Sequence, residues 1–346
     1  MASVIASIDE WVAKTPDKTC LSFLDSNAFV IDALSYADLQ RRTSRLAKYL
    51  VKDLALTGKH VLLVYPPSLD FIVAFLACIK AGVIAVPASP PSPDARKTDL
   101  RMFSSICKSC GAKVALTSAK YDWAVTIAGI KTMLISHGNK DELSSWPVLA
   151  WHVTDSIVRS AKNDMSDTLY AATAGNGDQV AFLQYTSGSP SVPRGLMVSH
   201  MNIAHNLQLM SSSLATSPDT VVVSWLAQHS DMGLLGSYLG VLHCGGSGFY
   251  LSPDSFLRSP PLWIRCINKF RATHLQAPDF AYALSAKKFM QSFRRHPVAF
   301  KWVPKLDLSC VKHMLNSGER VSRGAMELFE GVFCPYGLPH KAFVPI

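Results

Sequence analysis

The sequence predicts an α/β protein built from two halves, each with a mostly parallel sheet flanked by helices. Short apolar runs, typical of buried strands, alternate along most of the chain with longer segments of helical periodicity. Such alternation is typical of parallel sheets, in which a helix covers each crossover. The 346 residues favour two domains of roughly 150 residues each. A content of 49% hydrophobic and 17% charged residues indicates a globular chain.

The elements of the first half follow in order from their patterns. An amphipathic helix is predicted for "ALSYADLQRRTSRLAKYLV", where Ser35 and Asp38 fit a capping box. The strand "KHVLLVY", the helix "SLDFIVAFLACIKAG" and the strand "VIAVPA" then form one unit. Ser68 is the expected N-cap of that helix, and Gly82 its stop. The alternation continues with the strand "KVALTS", a helix near residues 121–128 and the strand "KTMLIS".

A polar stretch separates the two halves. Residues 138–177 carry scattered Asn, Asp, Ser and Gly, which indicates a linker or excursion. We predict a first subdomain of residues 1–155, a linker of residues 156–178 and a second subdomain of residues 179–346. The strands predicted after the linker are "VAFLQY", "GLMVS", "VVVSWLA", "GFYLS", "THLQA" and "VKHML". One helix is expected to start near Pro261, because proline suits a first helical turn.

Hydropathy and charge narrow the functional classes. No apolar run reaches the roughly 18 residues of a transmembrane helix, and the N-terminus lacks the features of a secretory signal. We therefore expect a cytoplasmic protein with no transmembrane segment. The net charge of +9 is scattered, and nothing resembles a nucleic-acid module. The densest basic cluster, residues 287–296, is interpreted as a solvated helix face, with an acidic partner as the alternative.

The eight cysteines are expected to be buried free thiols in a reducing compartment. Cys107 and Cys110 form the only C-x-x-C pair. A zinc site would need a second such pair or suitably placed histidines, so no metal site is predicted from the cysteines.

The loop "TSGSPSVPRG" after the strand "VAFLQY" has the chemistry of a phosphate cradle. Its small residues let backbone N–H groups converge on an anion. Thr186, Ser187, Ser189 and Ser191 add hydroxyl donors, and Arg194 adds a permanent charge. The G-x-x-x-x-G-K-[ST] pattern of P-loop NTPases is absent. A flexible surface turn is the alternative for such a loop considered alone.

In its context this loop resembles the phosphate-loop signature of the adenylate-forming superfamily, which includes acyl-CoA synthetases, luciferases, peptide-synthetase adenylation domains and fatty acyl-AMP ligases. The resemblance rests on "YTSGS", "PRG" and "MVSH". Pro190 and Ser191 stand where the family usually has Thr and Gly, and Arg194 replaces the usual Lys. Further segments resemble fatty acyl-AMP ligases in order along nearly the whole chain: "LLVYPPSLDFIVAFLACIKAGVIAVPASPP", "WPVLAWHVTD", "SWLAQHSDMGLLGSYLGVLHCGG", "APDFAYAL" and "LDLSCVKHMLNSGERV".

The resemblance implies a layered adenylate-forming N-terminal domain with three groups of site residues. The phosphate-binding residues are Thr186, Ser187, Gly188, Ser189, Arg194 and Gly195. The adenine-binding residues are Asn316, Ser317, Gly318 and Glu319. The residues bordering the acyl pocket are His229, Ser230, Asp231, Met232, Gly233, Pro278, Asp279 and Phe280.

Some of these residues have structural alternatives. Asp231 is equally well explained as a helix cap, and Met232 and Phe280 as core residues, a role compatible with lining an acyl tunnel. Ser230 stands where the family typically has a His near the acyl carboxylate and the α-phosphate. A shifted role for His229 is one compensation, and a purely structural His is the other. No confident catalytic residue is therefore assigned.

The end of the chain, "CPYGLPHKAFVPI", aligns with the family in two registers. One makes His340 the counterpart of a magnesium-binding Glu. We favour the other, in which the Mg²⁺ ligand, the ribose-binding Asp and the small C-terminal domain with its Lys belong beyond Ile346. On that basis the isolated chain is expected to bind its ligands and to be inactive or very slow.

The resemblance implies ATP- and Mg²⁺-dependent activation of a long-chain fatty acid. The acid would form an acyl-adenylate and then pass to a phosphopantetheine thiol, on an acyl carrier protein or on CoA. Two alternatives stay open: a non-catalytic binding or scaffold protein that keeps the adenylation fold, and an acyl-CoA ligase.

Overall fold

A computed structural model describes residues 3–91, 97–126, 147–159, 177–186, 193–295 and 305–345. The predicted strand "KTMLIS" and most of the predicted linker lie outside these residues. Contacts divide the chain into two compact units. The first contains Met1–Ile5 and Asp38–Ala204, and the second contains Ala6–Ala37 and His205–Ile346.

The helices and strands alternate along the chain as the sequence predicts. From the N-terminus they are α1 (Val4–Lys14), β1 (Thr19–Leu24), β2 (Val30–Ser35), α2 (Tyr36–Lys52), β3 (His60–Leu63), α3 (Leu69–Ala81), β4 (Ile84–Pro87), α4 (Lys97–Cys110), β5 (Val114–Thr117), α5 (119–126), β6 (Ala150–Val153) and α6 (Asp155–Arg159). They continue with β7 (Val180–Thr186), β8 (Arg194–Ser199), α7 (His200–Ser213), β9 (Val221–Ser224), a π-helix (Met232–Leu239), α8 (Gly240–Cys244), β10 (Ser247–Tyr250), α9 (Pro253–Arg258), α10 (Pro261–Phe270), β11 (His274–Ala277), α11 (Asp279–Arg295), β12 (His313–Asn316), α12 (Arg323–Phe333), a 3₁₀ turn (Cys334–Tyr336) and β13 (Phe343–Pro345).

The first unit contains a six-stranded sheet in the order β6-β5-β3-β4-β7-β8. All its neighbouring strands are parallel except β7 and β8. Helix α3, which connects β3 to β4, is buried along its whole length, and all its residues except Asp70 and Lys80 are apolar. It ends at Gly82, whose left-handed φ of 63° costs a glycine little. The Val83 N–H then donates to Cys78 O at 3.0 Å.

The second unit contains a seven-stranded sheet in the order β13-β12-β11-β9-β10-β1-β2, again parallel except for one pair, β1 and β2. Its core is rich in aromatic residues. Trp263 is fully buried and donates from Nε1 to Val223 O at 3.1 Å. Tyr282 is fully buried and donates to Leu315 O at 2.7 Å. These bonds satisfy the polar ends of large apolar side chains and tie α10 to β9 and α11 to β12.

The sheets divide the chain differently from the predicted boundaries at residues 155 and 179. Strands β7 and β8 belong to the sheet of the first unit, while β1 and β2 belong to that of the second. The prediction assumed that each subdomain is contiguous in sequence. Hydrogen bonding between distant strands decides sheet membership, and no local pattern reports it.

Several local predictions agree with the structure. Helix α10 begins at Pro261, and the six strands predicted after the linker are present. Six of the eight cysteines are buried, and the other two, Cys310 and Cys334, are half-buried. Lys287 and Lys288 are exposed on α11, as expected of a solvated helix face. Across the described ranges no helix has the length and apolar character needed to cross a bilayer.

Candidate functional site

The second unit brings two of the predicted residue groups to one edge of its sheet. Strands β9, β11 and β12 run parallel, so their carboxyl ends lie at the same edge. The segment 229–233 follows β9, Pro278–Phe280 follows β11, and the turn 316–319 begins at the last residue of β12. Crevices outside the carboxyl ends of parallel strands are the usual place for ligands in α/β sheets.

Asp279 is the centre of the hydrogen bonds at this edge. Its Oδ1 accepts from Asn316 Nδ2 at 2.8 Å and from Ser322 N at 3.0 Å, and its Oδ2 accepts from Ser322 Oγ at 2.8 Å. Burial alone would raise the pKa of the Asp279 carboxyl, but these hydrogen bonds outweigh it and hold the pKa below its ordinary value. Ser322 Oγ also caps helix α12 by accepting from Ala325 N at 3.2 Å. Asp279 therefore joins the start of α11, the end of β12 and the start of α12.

The predicted adenine turn is connected to the predicted pocket wall by a second bond. Phe280 N–H donates to Glu319 Oε1 at 2.6 Å, so the carboxylate of the turn lies at the first turn of α11. A negative charge is favourable there because the first N–H groups of a helix lack partners within it. Asn316 is fully buried, and its Oδ1 has no partner among the described residues, whereas Ser317 is half-buried and Gly318 and Glu319 are exposed. The turn therefore places the exposed Gly318 and Glu319 next to a buried acceptor that no described residue bonds.

Gly318→Ala is expected to lower the free energy of unfolding by about 1–2 kcal/mol, because an alanine is strained at a left-handed φ. The φ of Gly318 is +88°, and a Cβ there would lie 3.0 Å from Met232 Sδ. Urea unfolding would measure the loss. Gly324→Ala is the matched control, because a Cβ at Gly324 meets nothing within 4 Å. If Gly318→Ala and Gly324→Ala had equal free energies of unfolding, the left-handed φ of Gly318 would not be a source of strain for alanine.

The segment after β9 reaches the same turn through Met232, because Ser317 Oγ donates to Met232 Sδ at 3.6 Å. Asp231 is exposed and lies at the N-cap of the π-helix, where its Oδ1 accepts from Met232 N at 2.8 Å. The bond reaches only the next residue, and the backbone of Asp231 is helical (φ −58°, ψ −49°), so it differs from a usual cap, whose side chain accepts from an N–H two or three residues on.

Ser230 uses its hydroxyl within its own turn. Its Oγ donates to Ala227 O at 2.7 Å and accepts from Gly233 N at 3.1 Å. The adjacent His229 is half-buried, and burial lowers the pKa of its imidazole, which is therefore neutral at pH 7. The Ser230 hydroxyl thus stabilises the turn before the π-helix.

Phe280 is only partly a core residue. Its side chain is 43% exposed, and its ring meets Trp225 edge to face with the centroids 6.1 Å apart. Trp225 is buried and stacks on Phe256 at 3.8 Å. Pro278 is half-buried between β11 and α11. The edge therefore carries an exposed aromatic face beside the polar residues around Asp279.

A mostly apolar cleft opens within the same unit, with about 470 Å³ of empty space including its mouth. Its walls come from α7, the π-helix, α8, and strands β9, β11 and β12. None of the eight predicted acyl-pocket residues lines this cleft. Sequence reasoning missed Gly236 and Gln276, which do line it. The one available signal was a polar residue, Gln276, inside the strand predicted for "THLQA".

The first unit holds the residues that flank the predicted phosphate loop. Strands β7 and β8 pair antiparallel up to Thr186 opposite Arg194, so the loop closes a hairpin. Arg194 is exposed. Gly195 lies against Tyr185, because a Cβ there would be 2.9 Å from Tyr185 Cζ. Ser187, Gly188 and Ser189 lie outside the described residues.

Mg²⁺ is the metal that the family resemblance implies. Within the described ranges, no group of three or more His, Cys, Asp or Glu residues has a geometry that could hold a metal ion.

Comparison with known proteins places these features in context. The profile of the AMP-binding enzyme family matches residues 8–340. The medium-chain-fatty-acid–acyl-carrier-protein ligase JamA of Moorena producens is 30% identical over 327 residues, which are 94% of this chain and 50% of that protein. The long-chain-fatty-acid–AMP ligase FadD32 of Mycolicibacterium smegmatis is 28% identical over 99% of this chain and 51% of its own. The chain spans about half the length of the curated relatives it matches.

A solved structure agrees with the fold. The fatty acyl-adenylate ligase from L. pneumophila, in complex with acyl adenylate and pyrophosphate, superimposes with a TM-score of 0.82 at 29% identity. The match covers 99% of this chain and 54% of that one. The predicted class, an adenylate-forming N-terminal domain with two mostly parallel sheets flanked by helices, is confirmed.

Proposed function

Because the chain belongs to the AMP-binding enzyme family, we propose that it is part of a fatty acyl-AMP ligase. That enzyme would use ATP to activate a fatty acid as an acyl-adenylate and pass the acyl group to a phosphopantetheine thiol. The proposal is supported by JamA, which is named as a medium-chain-fatty-acid–acyl-carrier-protein ligase, and by FadD32, which is named as a long-chain-fatty-acid–AMP ligase. We also propose a cytoplasmic location, because the reaction consumes ATP.

The observation that carries the proposal is the pairing of two features in the second unit. The polar edge around Asp279 contains the buried Asn316, whose Oδ1 has no partner among the described residues, and beside it the exposed Gly318 and Glu319. The mostly apolar cleft adjoins the same strands, since Gln276 and Leu315 line it and pair in register one residue before Ala277 and Asn316. An adenylate with a fatty tail needs a polar site of this kind next to an apolar one.

We assign the residues to roles on this basis. Asn316–Glu319 would bind adenine, with Asp279 holding Asn316 and Glu319 held by the start of α11. Met232 and Phe280 would border the acyl-adenylate, and the cleft would take the tail. The phosphates would bind to the six residues predicted in the loop: Thr186, Ser187, Gly188, Ser189, Arg194 and Gly195.

The chemistry assigned to these residues is positioning rather than covalent catalysis. A carboxylate oxygen of the acid would attack the α-phosphorus of ATP, and pyrophosphate would leave. Donors aimed at the phosphates lower the barrier because charge spreads over their oxygens in the transition state. Backbone N–H groups and Arg194 are the groups assigned to that task.

The 346-residue chain is expected to bind a hydrolysis-resistant acyl-sulfamoyl adenosine at least about tenfold more tightly than AMP. The analogue occupies both the polar edge and the cleft, whereas AMP occupies the edge alone, and each 1.4 kcal/mol corresponds to a factor of ten. Isothermal titration calorimetry would measure both dissociation constants. Equal affinities would mean that the cleft does not take the tail, and the proposal would then fail.

The acceptor is proposed to be an acyl carrier protein rather than CoA, because the relative JamA is named as an acyl-carrier-protein ligase. The test is to supply the full-length protein with ATP, Mg²⁺ and a fatty acid, and then to add holo-carrier protein or CoA separately. Acyl transfer to CoA alone would favour the acyl-CoA ligase alternative.

One observation favours a non-catalytic scaffold as the second candidate. Ser230 stands where the family has a His, and its hydroxyl is bonded within its own turn. A scaffold would bind the adenylate analogue and form no acyl-AMP when the full-length protein is given ATP, Mg²⁺ and acid. In that case Ser230→His is the variant with which to seek turnover.

A further inference from the structure

The cleft of the second unit has several polar side chains in its wall, and nearly all of them are already bonded. Ser211 Oγ and Thr216 Oγ1 share a hydrogen bond of 2.7 Å, and Thr220 Oγ1 accepts from Ser217 N at 2.9 Å. These hydroxyls are engaged with each other or with the backbone. They therefore offer little to a ligand.

His274, which also lines the cleft, is engaged at both ring nitrogens. Its Nε2 lies 2.9 Å from Leu214 O, which only accepts, so Nε2 carries the proton. Its Nδ1 lies 2.8 Å from Thr273 Oγ1. Burial lowers the pKa of this imidazole, so the ring is neutral and contributes its carbon atoms to the wall.

Gln276 differs from these residues. Its Oε1 accepts from Ser237 Oγ at 3.2 Å, and its Nε2 has no hydrogen-bond partner within the described part of the chain. The amide lies directly on the π-helix, because a Cβ on Gly236 would be 2.3 Å from both Nε2 and Oε1. Gln276 therefore extends from β11 to the opposite wall and leaves one polar atom free.

The position of Gln276 along β11 puts it on the side of the cleft nearer the polar edge. Side chains alternate along a strand, so His274 and Gln276 share one face, with Gln276 nearer the carboxyl end. Pro278 and Asp279 of the polar edge follow two and three residues later. A chain that enters the cleft from that edge must pass the Gln276 amide before it reaches His274.

We propose that Gln276 is a specificity-determining residue that selects fatty acids carrying a hydroxyl group where the chain passes its amide. A hydroxyl both donates and accepts, and so can bond the free atom of the amide. An unsubstituted chain would instead leave that atom without water or partner, which is unfavourable in an apolar cleft. The inference rests on the proposed function and specifies its substrate class.

The test is a binding assay with the 346-residue chain, using acids of one length that are unsubstituted or hydroxylated at successive carbons. One hydroxylated acid is expected to bind the wild type about 3- to 10-fold more tightly than the unsubstituted acid, the effect of one hydrogen bond. Gln276→Leu keeps the bulk and removes the amide, so the unsubstituted acid is expected to become the tighter ligand. Gln276→Gly removes the bulk as well, and longer unsubstituted acids should then gain affinity.

Gln291→Leu on the exposed face of α11 is the matched control and should leave the series unchanged. The thermal melting temperature of each variant is measured alongside, so that unfolding is recognised. If acids bind but the hydroxyl preference is the same in the wild type, Gln276→Leu and Gln276→Gly, this inference is overturned and the proposed function is kept. If no acid binds the wild type or any folded variant, both are overturned.

Discussion

Asp279→Ala is expected to lower the free energy of unfolding by about 2–4 kcal/mol, because it removes the acceptor of three hydrogen bonds at once. Asp279 is 8% exposed, and its carboxylate accepts from Asn316 Nδ2, Ser322 N and Ser322 Oγ. In the variant the fully buried Asn316 would have neither polar atom of its side chain bonded to a described residue. Urea unfolding followed by fluorescence would measure the loss.

The same substitution should weaken binding of an acyl-adenylate analogue by more than tenfold, because Asn316 and the turn after it would lose their support. Asp254→Ala is the control, since Asp254 is exposed in the first turn of α9 and should change stability by less than about 0.5 kcal/mol. A loss below about 1 kcal/mol for Asp279→Ala would show that Asp279 does not hold this edge together.

The pH dependence of the free energy of unfolding provides a second test of the role of Asp279. Burial opposes ionisation, but the hydrogen bonds from Ser322 and Asn316 outweigh it, so the folded pKa lies below the unfolded value of about 3.9. Its stabilising contribution is therefore complete well above pH 4 and is lost as the pH falls through the folded pKa. Asp279→Asn, which cannot titrate, should show a shallower loss of stability below pH 4 than the wild type.

Local patterns in the sequence predicted the elements well. The unit formed by β3, α3 and β4 follows from one apolar helix between two short apolar runs, and Gly82 ends that helix in the left-handed conformation that a glycine stop implies. The start of α10 at Pro261 also follows from a local feature, because the proline ring fixes φ at a value that suits a first helical turn. These features depend on residues that are close in sequence.

Features that depend on distant residues were not predicted. Strands β7 and β8 lie in the sheet of the first unit, and β1 and β2 lie in the sheet of the second, contrary to the predicted halves. Pairing between strands that are distant in sequence decides this arrangement. The family resemblance indicated Asn316–Glu319, but not that Glu319 bonds the start of α11 or that Asp279 bonds Asn316. The cleft beside Gln276 is formed by elements that no local pattern brings together, and none of the predicted acyl-pocket residues lines it.

Gly233→Ala is expected to destabilise the protein by about 2–3 kcal/mol, because the new methyl group would overlap backbone that is unable to move freely. A Cβ on Gly233 would lie 2.2 Å from Ala227 O and 3.0 Å from Ser230 Oγ. Ala227 O already accepts from Ser230 N at 3.0 Å and Ser230 Oγ at 2.7 Å, so displacing it breaks the turn before the π-helix. Met232 begins the π-helix that follows this turn and contacts Ser317, so affinity for the adenylate analogue should fall together with the urea midpoint.

Gly331→Ala, in the same unit, is expected to stabilise the protein rather than destabilise it. Gly331 is exposed on α12, and a Cβ there meets nothing within 4 Å, so the helix propensity of alanine should raise stability by about 0.5–1 kcal/mol. If Gly233→Ala lowers the free energy of unfolding and Gly331→Ala raises it, the loss at Gly233 is due to crowding and not to the general effect of replacing a glycine. If Gly233→Ala were as stable as the wild type and bound the analogue equally well, the turn around Ser230 would have to be open, and Met232 would not border the acyl-adenylate as proposed.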